Sequence, residues 1–261
     1  IFAVYDKQNN VVDKFQTNEN GIGSSKKLPL GIYTVKEVQA PANYGLNPTV
    51  FTADIEFAGQ VVKLNVTDPV ITAGVSIKKT GYAQTMNNNV MRWTVSGVRN
   101  DSTTSLQSFY WRDTLPTDAV RLTRLVTGTY STTQTYKVTF TTNLNSQWRT
   151  AYDNLSTAKN YTLDMSSAAL GLASNEYVTQ FMLSFGIVPA GFHQLTNATV
   201  DAQTLYALTN GYKFTNKADV GGLLGGNWVQ SIARWTTSVY SHYVPAKPAA
   251  PKSPKLPRTG Y

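Results

Sequence analysis

Short runs of alternating apolar and polar residues recur along the chain, and this period of two predicts β-strands. Residues that favour turns, mainly Gly, Asn and Pro, separate the runs, and Pro69 closes the first series. We therefore expect a first β-domain over residues 1–69. The alternation in this segment is carried by Phe2 with Val4, Tyr33 with Val35 and Glu37, and Val62 with Leu64 and Val66.

A second, longer series of such runs predicts a larger β-domain over residues 70–243. Charged residues make up only 15% of the chain, while β-branched and aromatic residues are frequent, which is typical of an all-β protein. Residues 146–172 alternate less clearly, and we expect a short helix there. The strands predicted in this series are 73–79, 90–98, 107–113, 135–142, 177–186, 211–216 and 232–243.

Residues 244–261 differ in composition from everything before them. They begin with VPAKPAAPKSPK, which is rich in proline, basic and free of large apolar side chains, apart from its first residue. Such a stretch is typical of an extended, semi-rigid spacer. The expected fold class is therefore all-β: tandem Ig-like or transthyretin-like β-sandwich domains with a proline-rich C-terminal tail. Because Ile1 is not a start methionine and IFAVYD reads as mid-strand, we also expect a fragment of a longer precursor.

Several kinds of chemistry have little support in the sequence. The chain contains no cysteine, so disulfides and thiol chemistry are excluded. His193 and His242 have no partners at ligand spacing, and no glycine-rich phosphate loop occurs, so we expect no metal and no cofactor. The spacing of the aromatic residues fits sandwich cores better than a base-stacking platform, and we expect no nucleic-acid partner.

The tail ends in Leu256, Pro257, Arg258, Thr259 and Gly260, which resemble the LPxTG sorting signal of Gram-positive surface proteins. In that family, sortase cleaves between the threonine and the glycine. It then joins the threonine carboxyl to an amine of the peptidoglycan precursor or of another pilin subunit. The resemblance implies a secreted protein that is covalently anchored to the cell wall, with sortase, peptidoglycan and other pilin subunits as partners.

The first segment resembles SpaA-like pilin domains, also called collagen-adhesin B-type repeats, through LPLGIYTVKEVQAPANYGL. The resemblance implies a small transthyretin-like sandwich in which Glu37 assists an amide bond between a first-strand lysine and a last-strand residue. The last-strand position is Asp68, where the family has asparagine, and the lysine strand would precede Ile1. A sandwich without its first strand would expose an edge and part of its core. A plain salt bridge is the alternative role for Glu37.

The second segment resembles the larger isopeptide-forming domains of pilins and adhesins, through VSIKKTG, SFYWRDTLP, FGIVPAGF and NGYKFTNKADVGG. The resemblance implies an intramolecular amide bond between Lys79 and Asn216, assisted by Asp113. An amine is a nucleophile only when neutral, and water keeps lysine charged, so this chemistry needs a dry site. In such a site, a buried carboxyl has a raised pKa and can transfer protons.

The period of two in the strands is consistent with this assignment, because each polar residue shares a face with apolar neighbours. Lys79 follows Val75 and Ile77, and Asp113 follows Phe109 and Trp111. Asn216 likewise follows Tyr212 and Phe214, whereas Lys78 lies on the opposite face. A structural ion pair is the alternative explanation for such an arrangement.

Three functions therefore remain, and the leading one is structural: a sortase-anchored pilin subunit, basal or minor, or a stalk subunit with an internal crosslink. The alternative is an adhesin that binds a host extracellular-matrix protein or glycan. The sequence places no cluster of exposed aromatic or acidic residues at a loop tip, which favours the structural function. An enzyme is not expected, because the one constellation points inward and would react once per molecule.

Overall fold

The computed structural model describes residues 1–42, 44–82, 84–85 and 90–239, with residues 84 and 85 described by their backbone alone. These residues form eighteen strands and no helix, which confirms the all-β prediction. Within this part of the chain, no helix has the length and hydropathy needed to cross a membrane.

The first domain contains one antiparallel sheet of four strands. Apolar residues that alternate along these strands bury one face of the sheet, with Phe2, Val4, Tyr33, Val35 and Ala53 at its centre. The sheet has the order β2-β1-β3-β4. Its strands are β1 (Phe2–Tyr5), β2 (Val11–Phe15), β3 (Gly31–Glu37) and β4 (Val50–Ile55).

An extended segment at residues 61–68 covers part of this core without joining a sheet. Val62, Leu64 and Val66 are half-buried and pack against the core, while the residues between them are exposed. The strand predicted here is not formed, because no described strand lies beside the segment to supply hydrogen bonds. The apolar side chains of this segment do face the core, as predicted, but its backbone forms no hydrogen bonds with a neighbouring strand in the described part of the chain.

The second domain is a sandwich of two large sheets. Its strands are β5 (Val75–Gly81), β6 (Gln84–Thr85), β7 (Val90–Asn100), β8 (Leu106–Thr114), β9 (Val120–Val126), β10 (Thr129–Tyr130), β11 (Thr135–Thr142), β12 (Arg149–Ser156), β13 (Thr162–Asp164), β14 (Val178–Val188), β15 (Gln194–Thr196), β16 (Ala198–Thr204), β17 (Lys213–Leu224) and β18 (Asn227–Val239). One sheet has seven strands in the order β12-β11-β14-β8-β17-β18-β6, and the other has five in the order β13-β9-β16-β7-β5. The short strands β10 and β15 form a separate pair.

The two sheets enclose one continuous core rich in aromatic side chains. Trp93 from the five-stranded sheet and Trp111 and Phe181 from the seven-stranded sheet are fully buried there. The indole Nε1 of Trp111 donates a hydrogen bond to Tyr130 Oη at 2.8 Å, so its polar atom is satisfied inside the core. Such a core is large and dry enough to hold a reactive polar group away from water.

The structure corrects the expectation of a helix within residues 146–172. This stretch forms β12, β13 and turns, and its strands are edge strands of the two sheets. The alternation of β12 is weak because several of its residues are exposed or half-buried on both faces. The long strands β9 and β16 and the short strands β6, β10 and β15 were not predicted either, and β17 continues to Leu224 beyond the predicted end at 216.

Candidate functional site

Lys79 lies on β5, the edge strand of the five-stranded sheet that borders the seven-stranded sheet. Its side chain is fully buried and points between the two sheets, as the strand period predicts, whereas Lys78 is exposed. The ammonium group lies 5.7 Å from the centre of the Trp93 ring. The indole face, itself packed edge-on against Phe214 at 6.4 Å, gives the charge a favourable cation–π contact in the absence of water.

Asp113 lies on β8, near the middle of the seven-stranded sheet, and its side chain is also fully buried. Lys79 Nζ donates a short hydrogen bond to Asp113 Oδ2, and the two groups form an ion pair. The other carboxyl oxygen, Oδ1, is buried and has no hydrogen-bond partner. The pair is therefore enclosed, with one carboxyl oxygen left for a further contact.

Asn216 lies on β17, which pairs directly with β8, and no part of it is exposed to solvent. Because Ala218 is the partner of Asp113 in this pairing, Asn216 lies one step along the same inner face. Neither Oδ1 nor Nδ2 of its amide makes a hydrogen bond of normal geometry. A fully buried amide with two unpaired polar atoms is costly, and native structures contain few of them.

The ionisation of Asp113 depends mainly on its burial. Loss of hydration raises the pKa of the Asp113 carboxyl above its ordinary value. The charge of Lys79, its hydrogen bond and the nearby Asn216 amide oppose this effect without cancelling it. The amide therefore lies close enough to Asp113 to influence the pKa, although it forms no well-directed hydrogen bond. The raised pKa favours the protonated form of Asp113, as is required of a group that accepts a proton from a neighbour.

The first domain also holds candidate site residues, and both of them are acidic. Glu37, at the end of β3, is buried and accepts a hydrogen bond of 2.7 Å from the backbone N–H of Asn47. No ion pair with Glu37 is found in the described part of the chain, which disfavours the salt-bridge alternative. Asp68 is half-buried, and its Oδ1 atom has no hydrogen-bond partner.

Glu37 and Asp68 line the same groove, which has a volume of about 1840 Å³. Apolar core residues such as Phe2, Val35 and Leu64 form part of its wall. The groove also borders the extended segment 61–68, whose backbone is not part of any sheet. The first domain therefore has a partly open core on the side of this groove.

The predicted sorting signal, Leu256 to Gly260, lies outside the described residues, as does the proline-rich tail. The sequence analysis did not predict that aromatic residues of the second domain would be exposed. Trp148, which precedes β12, and Trp228, on β18, lie on the outer face of the sandwich. An alternation count through β18 would have placed Trp228 and Gln230 on one face, but the direction of that face was not determined by the sequence alone.

Comparison with known proteins identifies the class of the first domain. Residues 1–70 match the family model described as SpaA, a prealbumin-like fold domain. This match confirms the prediction of a SpaA-like domain at the start of the chain.

A curated relative agrees with this class. The trypsin-resistant surface T6 protein of Streptococcus pyogenes serotype M6 is 29% identical over 117 residues, which is 45% of this chain. The chain spans only 19% of the length of that relative.

Solved structures of major pilins are also similar to this chain. The full-length major pilin SpaD of Corynebacterium diphtheriae aligns with a TM-score of 0.37 and 16% identity, covering 91% of this chain and 60% of that one. A variant of BcpA, the major pilin subunit of Bacillus cereus, aligns with a TM-score of 0.36 and 11% identity, covering 92% and 64%.

Proposed function

We propose that this chain is part of a pilin or stalk subunit on the surface of a Gram-positive bacterium, and that an amide bond between Lys79 and Asn216 locks its second domain. One observation carries the proposal: a lysine, an aspartate and an asparagine amide with two unpaired polar atoms are all fully buried between the two sheets. The SpaA family match and the T6 relative, which is a surface protein, support the class.

The reaction requires no group beyond these three side chains. Asp113 takes a proton from Lys79, and the neutral Nζ attacks Cγ of Asn216. The new bond joins Nζ to Cγ, and the bond from Cγ to Nδ2 breaks. Nζ gives up two protons in all, and both pass through Asp113 to the leaving nitrogen. Ammonium is released, which lowers the neutral mass by one ammonia, and Asp113 returns to its carboxylate form. Asp113 Oδ1, which is unpaired before the reaction, is available to hydrogen-bond the developing tetrahedral centre.

Intact mass spectrometry tests this proposal directly. The purified chain should be lighter than its calculated mass by one ammonia, and a tryptic digest should yield a branched peptide containing Lys79 and Asn216. Lys79→Ala and Asn216→Ala should each restore the full mass, whereas Lys78→Ala should keep the shortfall. An unmodified wild-type mass, or a branch at Lys78, would contradict the assignment.

The same mass measurement distinguishes the bond proposed for the second domain from a bond in the first domain. We propose that Glu37 assists a second amide bond, in which Asp68 is the acceptor and the donor is a lysine on a strand that fills the groove. A bond between lysine and aspartate releases water rather than ammonia. The chain of residues 1–261 should therefore lose ammonia alone, and a longer chain that carries the lysine strand should lose one water in addition. Loss of ammonia alone from the longer chain would contradict this second bond.

Attachment to the cell wall is the remaining part of the proposal. The motif Leu256 to Gly260 follows a basic, proline-rich spacer, which suits it to sortase. The full-length precursor should be found in the wall fraction and should be released by wall hydrolases but not by detergent. Replacing Thr259 and Gly260 with alanine should move the protein to the medium or membrane fraction. Unchanged wall attachment of that variant would show that this motif is not the sorting signal.

A further inference from the structure

The outer face of the seven-stranded sheet carries an open groove of about 740 Å³, on the side of the sheet away from the proposed crosslink. Side chains from β11, β14, β8 and β18 line it, and Trp148 and Trp228 contribute exposed indoles. Trp148 precedes β12, at one edge of the sheet, whereas Trp228 lies on β18, five strand positions away. At the ordinary strand spacing the strands between them span about 24 Å. The pairing also places the two indoles at different levels along the strands, so the groove suits an extended ligand.

The middle of the groove is a rigid polar network. Arg112 donates two hydrogen bonds to Asp219, at 3.1 and 3.0 Å. Tyr110 Oη donates to the same carboxylate at 3.1 Å, and Gln230 Nε2 donates to Tyr110 Oη at 3.1 Å. The Arg112 guanidinium also lies 5.7 Å from the centre of the Tyr110 ring. Because each group is held by at least one other, their polar edges have fixed positions.

Backbone irregularities shape the groove. The pairing of β14 with β8 shifts register on both sides of Gly186, and the pairing of β17 with β8 shifts between Gly221 and Leu223. Ser108, on β8, has a φ of 51°, which is uncommon for a residue with a side chain. Bulges of this kind bend a sheet and are frequent beside binding sites. Three neighbouring strands are therefore irregular at the same level of the sheet.

Gly221 leaves space for the aromatic wall of the groove. A Cβ at this position would lie 3.1 Å from Tyr110 Cε1 and from Gln230 Cγ, so a side chain there would displace the network. Trp228 packs edge-on against the Tyr110 ring, with the ring centres 5.9 Å apart, yet 55% of Trp228 remains exposed. Trp148 is 40% exposed. Trp228 is therefore held in place by Tyr110, and both indoles have a surface open to a ligand.

The charges of the groove balance. Arg112 and Asp219 neutralise each other, and Lys137 and Asp153 add one charge of each sign. A phosphate-bearing or sulfated polymer would require an excess of positive charge, which this groove does not have. The lining combines apolar aromatic surfaces with fixed hydrogen-bonding groups, which is the composition of a site for a polar, uncharged ligand.

We propose that this groove binds an extended, neutral oligosaccharide. A sugar ring has an apolar C–H face that packs on an indole, and its hydroxyl groups both donate and accept hydrogen bonds. Trp148 and Trp228 provide the stacking surfaces at the two ends, and Arg112, Gln230 and Asp153 provide donors and acceptors between them. The proposal is independent of the crosslink, since the two sites lie on opposite faces of the sheet.

The test uses the whole chain and oligosaccharides of alternating β-linked galactose and N-acetylglucosamine as the probe, first on an array and then by titration calorimetry. Saturable binding is expected, with Trp228→Ala and Trp148→Ala each weakening it at least tenfold. The matched control is Leu195→Ala, which removes an exposed apolar side chain from β15, outside the groove. It should leave the affinity unchanged.

Retention of the wild-type melting temperature would show that the tryptophan variants remain folded. No binding to any neutral oligosaccharide on the array would overturn the proposal. Binding that survives both tryptophan substitutions would also overturn it, because the sugar would then lie elsewhere. Saturable binding of type I collagen through these tryptophans, without sugar binding, would assign the groove to a protein partner instead.

Discussion

The two domains use similar polar groups in different surroundings. In the second domain, Lys79, Asp113 and Asn216 lie between two complete sheets, and none of their side-chain atoms reaches solvent. In the first domain, Glu37 and Asp68 line an open groove beside a single four-stranded sheet. The two sites therefore differ in one respect that matters for the proposed chemistry: only the site of the second domain has a second layer of structure that excludes water.

The two domains differ in which residues supply the layers that cover the core. The second domain supplies both of its sheets from residues 75–239, so its site is complete within the chain. The first domain has an extended segment, 61–68, whose inner side chains pack on the core but whose backbone lacks a neighbouring strand. The bond proposed for the second domain therefore needs only residues of that domain, whereas the bond proposed for the first domain needs a lysine on a strand that fills the open groove.

The largest expected effect comes from Asp113→Ala. This change stops amide formation, and the entropy model gives about 5 kcal/mol for a crosslink that closes a loop of this length. It also leaves Lys79 buried without its partner, which costs about 3 kcal/mol or more. The free energy of unfolding of the second domain should fall by the sum of these effects. Thermal and denaturant unfolding, with intact mass, measure the change.

Lys78→Ala is the matched control for this experiment, because Lys78 is the adjacent residue but is exposed. It should change neither the mass nor the unfolding free energy by a measurable amount. If Asp113→Ala still lost one ammonia, Asp113 would not be required for the reaction, and the contrast between the two domains would need another cause.

A smaller effect is expected from Glu37→Ala in the first domain. The substitution removes the acceptor for the Asn47 N–H in a partly buried position, which should cost about 1 kcal/mol, at the lower end of the range for an unpaired buried group. The first domain should unfold more easily, while the mass and the unfolding of the second domain stay unchanged. Glu56→Ala, at an exposed position, is the control. Equal destabilisation of both domains would show that they unfold as one unit.

The smallest effect concerns the pH dependence of the second domain. Burial favours the neutral form of Asp201, but hydrogen bonds and charge from Arg92 and Arg124 outweigh it and hold the pKa below the ordinary value. The unfolded chain therefore binds the proton more readily, so this stabilisation is present above about pH 4 and is lost as the pH falls further. Because both arginines are partly exposed, we expect about 1 kcal/mol or less.

Urea unfolding at several pH values measures the contribution of Asp201 to the free energy of unfolding. Asp201→Asn should lower the stability near neutral pH and should flatten the loss of stability in acid. An unchanged acid slope in the variant would mean that other carboxyl groups determine it.

The sequence predicted the inner face of the second domain well. Lys79, Asp113 and Asn216 each follow large apolar residues at a spacing of two, and the structure buries all three. The register that brings their strands together was supplied by family resemblance, because strand parity gives the face of a residue but not its neighbours. The role of the three residues in a crosslink stays a prediction.

Edge strands were the main source of error. Residues 149–156 form β12 at the edge of the larger sheet, where polar side chains are tolerated on both faces, so the expected helix is wrong. The strand at 62–66 had the correct alternation but no neighbour. In both regions the structure depends on which strands lie alongside, and local patterns do not carry that information.

The positions of the two strands joined by the proposed crosslink have a mechanical consequence. Lys79 lies on β5, the first long strand of the second domain, and Asn216 lies on β17, next to the last strand. Tension applied along a fibre would enter near β5 and leave after β18. The proposed amide would carry that tension across, so the well over one hundred residues between them could not be drawn out. Their extended length, on the order of 400 Å, would not be released under force, and the subunit would behave as an almost inextensible link.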